Sequence, residues 1–141
     1  MSMLLDGSKP ARPISALTAY DYPVARLLDE AGVDIILVGD SLGMVVLGLP
    51  DTVDVSMDDM LHHTRAAARG VTRATLVADL PAGSFATPRT AADNARQLQD
   101  AGATAVKLEG ALPDQIAAIE AVGIPVVAHL GMLPQQVRAE G

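Results

Sequence analysis

A chain of 141 residues, half of them hydrophobic and 19% charged, is long enough for one substantial core and too apolar to stay disordered. Ten basic against 17 acidic residues leave a net charge of -7, which argues against nucleic acid or an anionic membrane as a partner, since both call for a basic footprint. Cysteine is absent, excluding disulfides and thiolate ligands, and the opening MSMLLDGSKPARP carries no secretion-signal pattern, so a cytoplasmic location is expected.

The first strand is expected over Pro13–Ala19. YDYPVARLLDEAG then reads as a helix: Pro23 suits its first turn, Val24, Leu27, Leu28 and Ala31 share one side, and Gly32 stops it. A second strand, about Asp34–Val38, is continuously apolar after its first residue, as in a parallel sheet covered on both faces. GMVVLGLPDTVDV is expected as loop with a short hairpin, and Ser56 with Asp59 forms a capping box for a helix ending near Gly70. ATLVAD is the third strand, and Thr87-Pro88 starts the next helix. TAVKLE is the fourth strand, followed by a helix from Pro113; IPVVAH is the fifth, and PQQVRAEG begins a further short helix.

Strands alternating with helices imply right-handed parallel crossovers and an α/β fold. A five-stranded open sheet and an incomplete eight-stranded barrel share this rhythm, and the barrel is the preferred expectation, occupying 1–141 as one partial domain with no second domain. Both folds collect their chemistry at the carboxyl ends of strands. Here those ends carry Asp21, Asp40, Asp79, Glu109 and His129. Asp40 and Asp79 are each also compatible with capping a turn. Glutamate is a poor cap, so Glu109 between VKL and Gly110 is harder to dismiss. Three carboxylates meeting at one rim would repel each other without a cation, and all-oxygen ligation suits magnesium better than zinc.

Lys107 lies two residues before Glu109, so strand alternation turns both to one side; it either binds a substrate carboxylate or forms a structural salt bridge. His129 either donates to a substrate oxygen or is a core histidine. Ser41 and Thr18 are small hydroxyls near the same face, suited to holding oxygens or to turns. His62 and His63 point about 100° apart on one helix and make poor joint ligands. His62 is expected exposed, His63 packed or touching the site's rim, and Met44, Met57 and Met60 are expected to pack.

The stretches TAYDYPVARLLDEAGVDIILVGDSLGM, DTVDVSMDDMLHHTRAAARG, VADLPAGSFATP, AGATAVKLEG and GIPVVAHLGMLPQQV resemble the ketopantoate (3-methyl-2-oxobutanoate) hydroxymethyltransferase family along nearly the whole chain. The resemblance implies a TIM (β/α)8 barrel, a homodecamer, magnesium, and 5,10-methylenetetrahydrofolate as one-carbon donor. It implies transfer of a hydroxymethyl group to 3-methyl-2-oxobutanoate, forming 2-dehydropantoate in pantothenate synthesis. By the same resemblance Asp40, Asp79 and Glu109 are metal ligands, Ser41 beside Asp40 helps hold the ketoacid, and Lys107 and His129 contact substrate. Ala82 departs from the family, where many members carry a bulky residue after the proline. The family's general-base glutamate matches neither Glu120 nor Glu140, and about five βα units stand where eight usually take about 250 residues. An amino-terminal portion of the enzyme is therefore expected. Two alternatives stay open: a folate-independent carbon–carbon lyase or condensing enzyme of the phosphoenolpyruvate/isocitrate-lyase barrel group, and a noncatalytic binding or assembly module.

Overall fold

The computed structural model describes residues 12–136 together with Arg138. Five parallel strands, β1 (Ala16–Thr18), β2 (Ile35–Val38), β3 (Thr75–Asp79), β4 (Ala105–Glu109) and β5 (Val126–His129), form a sheet whose spatial order is the chain order. Between them run α1 (Tyr22–Glu30), the short α2 (Leu42–Val45), α3 (Met57–Ala68), α4 (Pro88–Asp100) and α5 (Pro113–Ala121). A 3-10 turn, Pro134–Gln136, follows β5. Right-handed crossovers that always step the same way put the helices on one face, which gives an open parallel sheet flanked by helices, a partial α/β barrel. No helix among the described residues is long and apolar enough to cross a membrane.

The helix starts follow from side chains that take up orphan amides. Ser56 Oγ accepts from the Asp59 amide at 3.2 Å while Asp59 Oδ2 accepts from the Ser56 amide at 3.0 Å, the reciprocal pair expected for α3. Thr87 and Thr90 do the same for α4 behind Pro88. Asp21 Oδ1 accepts from the Val24 amide at 2.9 Å, so this residue is an exposed cap of α1 rather than part of the chemical rim.

Two expectations are corrected. The stretch after Ser41 is loop over residues 46–56 as expected, but it forms no hairpin and begins as α2, because Leu42 is wholly buried and Gly43 packs so tightly that a Cβ would lie 2.5 Å from Val55 Cγ2. That anchor turns the chain into one helical turn and leaves Met44, expected to pack, half exposed. On α1, Val24 and Leu27 are 41% and 64% exposed; the inward side is Ala25 and Asp29, with Leu28 half-buried. The helix is turned by its polar residue. The loop entering β3 offers the Asp29 carboxylate the Thr72, Arg73 and Ala74 amides and the Thr72 hydroxyl, which makes burying it affordable.

Period-two alternation divides the strands. Ile36, Val38, Leu76, Ala78, Val106 and Leu108 are buried in one cluster with helix residues such as Met60, Ala67, Ala95, Leu98 and Ile119. Burying each large aliphatic side chain contributes roughly 1.5–3 kcal/mol. Gly70 lets α3 meet α1, since a Cβ there would stand 2.7 Å from both Tyr22 O and Arg26 N. The alternate strand residues, Leu37, Val77, Ala105, Asp79, Lys107, Glu109 and His129, belong to the face away from the helices, with Asp79 in register with Lys107 and Glu109 with His129.

Candidate active site

The polar rim forms where β2, β3, β4 and β5 end. Asp40, Asp79 and Glu109 are 5%, 2% and 4% exposed, a degree of burial that unpaired carboxylates do not tolerate. The Asp40 amide donates to Asp79 Oδ2 at 3.1 Å, which fixes β2's tip against β3's. Among the described residues no turn amide reaches the Asp40 carboxylate, so the capping alternative does not account for it; its partner is the Gln135 side chain, at 2.7 Å from Oδ2.

Lys107 Nζ lies 2.7 Å from Asp79 Oδ1 but off the line of a hydrogen bond, so that oxygen is charge-paired and still lacks a directed donor. Burial pushes the Asp79 carboxyl up to about 6, against the pull of the Lys107 ammonium. On β4 and β5, His129 Nδ1 lies 3.4 Å from Glu109 Oε1, and the Gln135 amide donates to Glu109 Oε2 at 3.1 Å. Ser41 Oγ is 2.8 Å from the Tyr20 hydroxyl, and the Tyr20 carbonyl is 2.7 Å from His63 Nδ1. His63 thus touches the rim through its helix, while His62 is exposed and Thr18 makes no side-chain hydrogen bond to this group among the described residues.

Tyr20 and Gln135 were not singled out in the sequence. Tyr20 carried a usable signal, because continuing the alternation Ala16, Thr18 by one more step puts it on the same face. Gln135 carried none, since it arrives on a turn rather than on a strand.

Among the described residues no three His, Asp or Glu side chains converge closely enough to enclose a metal ion. Lys107 stands against Asp79, and Gln135 stands between Asp40 and Glu109. The donor set still suits a hard divalent cation. Asp79 keeps a buried oxygen without a directed donor, the ligands on offer are carboxylates, and Gly39 leaves room that a Cβ would fill 3.0 Å from Ser41 Oγ and 3.5 Å from Asp79 Oδ2. A cavity of about 210 Å³ opens beside Glu109, lined by Ala82, Gly83, Phe85, Leu112 and Gln135 among others. Ala82, where the chain departs from the family, borders this cavity.

Among solved structures the fold is similar to that of a phosphonopyruvate hydrolase crystallised with oxalate and magnesium, with a TM-score of 0.70 and 24% identity over 83% of this chain and 47% of that one. A phosphoenolpyruvate phosphomutase from Streptomyces platensis superposes with a TM-score of 0.69 at 22% identity, covering 84% of this chain and 49% of that one. Sequence similarity is closer. The chain is 53% identical to the 3-methyl-2-oxobutanoate hydroxymethyltransferase of Acetivibrio thermocellus, over 97% of this chain and 50% of the relative. It is 56% identical to that of Aeropyrum pernix, over 91% of this chain and 48% of the relative. The chain thus spans about half the length of the curated relatives it matches. With the family model for ketopantoate hydroxymethyltransferase matched over residues 1–141, the chain belongs to the ketopantoate hydroxymethyltransferase family.

Proposed function

We propose that this chain supplies the ketoacid- and cation-binding part of a 3-methyl-2-oxobutanoate hydroxymethyltransferase, which takes its one-carbon unit from 5,10-methylenetetrahydrofolate and releases 2-dehydropantoate. The observation that carries this reading is the pairing of Asp40 with Asp79 beside the Lys107 ammonium, in a chain of that family. Asp40 and Asp79 would hold the magnesium ion, with Glu109 as the third carboxylate of the set once Gln135 gives way. When bound, the cation supplies Lewis-acid polarisation of the ketoacid's carbonyl.

Part of the remaining work falls to side chains of this chain, none of which matches the family's glutamate that takes the C3 proton. Lys107, half-buried among carboxylates, offsets negative charge that grows on the substrate oxygen as the C3 proton leaves. Ser41, steadied by the Tyr20 hydroxyl, donates to a ketoacid oxygen, and His129 orients the same group from β5. Glu120 lies exposed on α5 and is not the base for the C3 proton. The proposal extends to a closed eight-stranded TIM barrel and to the homodecamer that the resemblance implies. Exposed Leu17 on β1 and Leu130 just past β5 support further strands at both outer edges.

The test is product formation by the assembled protein with magnesium, 3-methyl-2-oxobutanoate and 5,10-methylenetetrahydrofolate. Formation of 2-dehydropantoate that needs all three supports the reading. Cleavage or condensation of ketoacid without folate favours the lyase alternative, and ligand binding without product favours the noncatalytic one.

A further inference from the structure

Gln135 joins acidic residues that come from different strands. Its Nε2 donates to Asp40 Oδ2 at 2.7 Å and to the Leu80 carbonyl at 3.0 Å, and its backbone amide donates to Glu109 Oε2 at 3.1 Å. Three residues on, the Arg138 guanidinium grips the loop between α2 and α3. Its Nε and Nη2 donate to Asp51 at 2.8 and 3.0 Å, and its Nη1 and Nη2 donate to Asp54 at 3.1 and 2.5 Å. One short stretch after β5 is thereby tied both to the acidic centre and to the surface loop above β2.

We propose that Gln135 is a resident competitor at this centre, its amide hydrogens occupying carboxylate oxygens of Asp40 and Glu109 that a divalent cation needs, with Arg138 as the latch that keeps it there. The inference rests on the reading that Asp40 and Asp79 hold such a cation. Chemistry supports the substitution. An amide offers hydrogens to carboxylate oxygens but no charge, so three carboxylates facing the single ammonium of Lys107 stay under-neutralised and a dication displaces the amide. Construction supports the release. The latch lies near the surface, with the Arg138 and Asp54 side chains 46% and 56% exposed, where water and salt weaken an ion pair.

A site open only a fraction of the time binds with an affinity reduced by that fraction. Manganese, read by the paramagnetic signal of the free ion, serves as the probe on the whole 141-residue chain. Gln135→Ala is expected to bind it roughly ten-fold tighter and Arg138→Gln about three-fold tighter, and added salt is expected to narrow the gap between Arg138→Gln and the unaltered protein. Magnesium is expected to speed amide exchange in peptides covering Gln135, as its amide leaves Glu109. Equal or weaker manganese binding by Gln135→Ala, with Arg138→Gln unchanged, overturns the proposal, as does slower exchange with magnesium. Asp79→Asn separates the two levels. If the unaltered protein and Gln135→Ala bind alike while Asp79→Asn does not bind, only the competitor falls; if none of them binds, the cation reading falls with it.

Discussion

Asp29 and Asp79 are both almost fully buried, 3% and 2% exposed, but they sit at opposite ends of the sheet and are treated oppositely. Below the strands, in the last turn of α1, the Asp29 carboxylate accepts from the Thr72 amide at 3.1 Å, the Thr72 hydroxyl at 2.8 Å, the Arg73 amide at 3.0 Å and the Ala74 amide at 2.8 Å. Burial pushes its pKa up, and these donors more than reverse that, holding it at about 2. Above the strands, Asp79 has the Asp40 amide and an off-axis ammonium, and burial prevails, raising it to about 6. A carboxylate whose lone pairs are all matched is finished as a structural tie. One buried with an oxygen unmatched has capacity left for a ligand. The ends of α/β sheets divide the same way, stability at one and chemistry at the other.

The contrast can be broken most decisively at Asp79. Asp79→Asn is expected to weaken magnesium-dependent binding of 3-methyl-2-oxobutanoate, measured by calorimetry, by roughly 100-fold or more, with only a small change in melting temperature. Retained binding would mean that the unmatched oxygen has no ligand role. The mirror experiment is Asp29→Asn, expected to cost roughly 2–3 kcal/mol in denaturant unfolding while the folded protein binds ketoacid as before.

Acid sharpens the same difference. Because Asp29's folded pKa lies below its ordinary 3.8, its stabilisation, roughly 2 kcal/mol, is fully present above about pH 4 and is lost as pH falls toward 2. Asp29→Asn should flatten that limb of the stability profile. Gly39→Ala, whose Cβ would crowd Ser41 Oγ at 3.0 Å, is expected to weaken ketoacid binding by an amount worth about 1–2 kcal/mol and to spare the lower end of the molecule. Smallest is Ser56→Ala, which removes the α3 cap for about 1 kcal/mol of stability and leaves binding untouched.

Much of this arrangement was readable in the chain. Apolar runs that end in Asp40, Asp79, Glu109 and His129 locate strand tips, because a parallel sheet buried on its helix face leaves its last residue free for polar work. Ser56-Asp59 and Thr87-Pro88 mark helix starts by local chemistry that needs no tertiary information. What was not readable depended on partners distant in sequence. The rotation of α1 depends on amides some 43 to 45 residues away that receive Asp29. α2 depends on the Gly43–Val55 contact. Alternation along β4 did turn Lys107 toward the acidic residues, but nothing in their spacing could show that Gln135 stands among them, and among the described residues the set does not close into a ready metal cage.

The identity of strand order and chain order has a consequence for assembly of the molecule. Among these five strands each new one finds its hydrogen-bonding edge on the strand made just before it, so none of their pairings waits for a distant segment to be synthesised. The fold is able to grow vectorially behind the ribosome, and Asp40, just past β2, and Asp79, at the end of β3, meet before the chemistry on β4 and β5 has emerged.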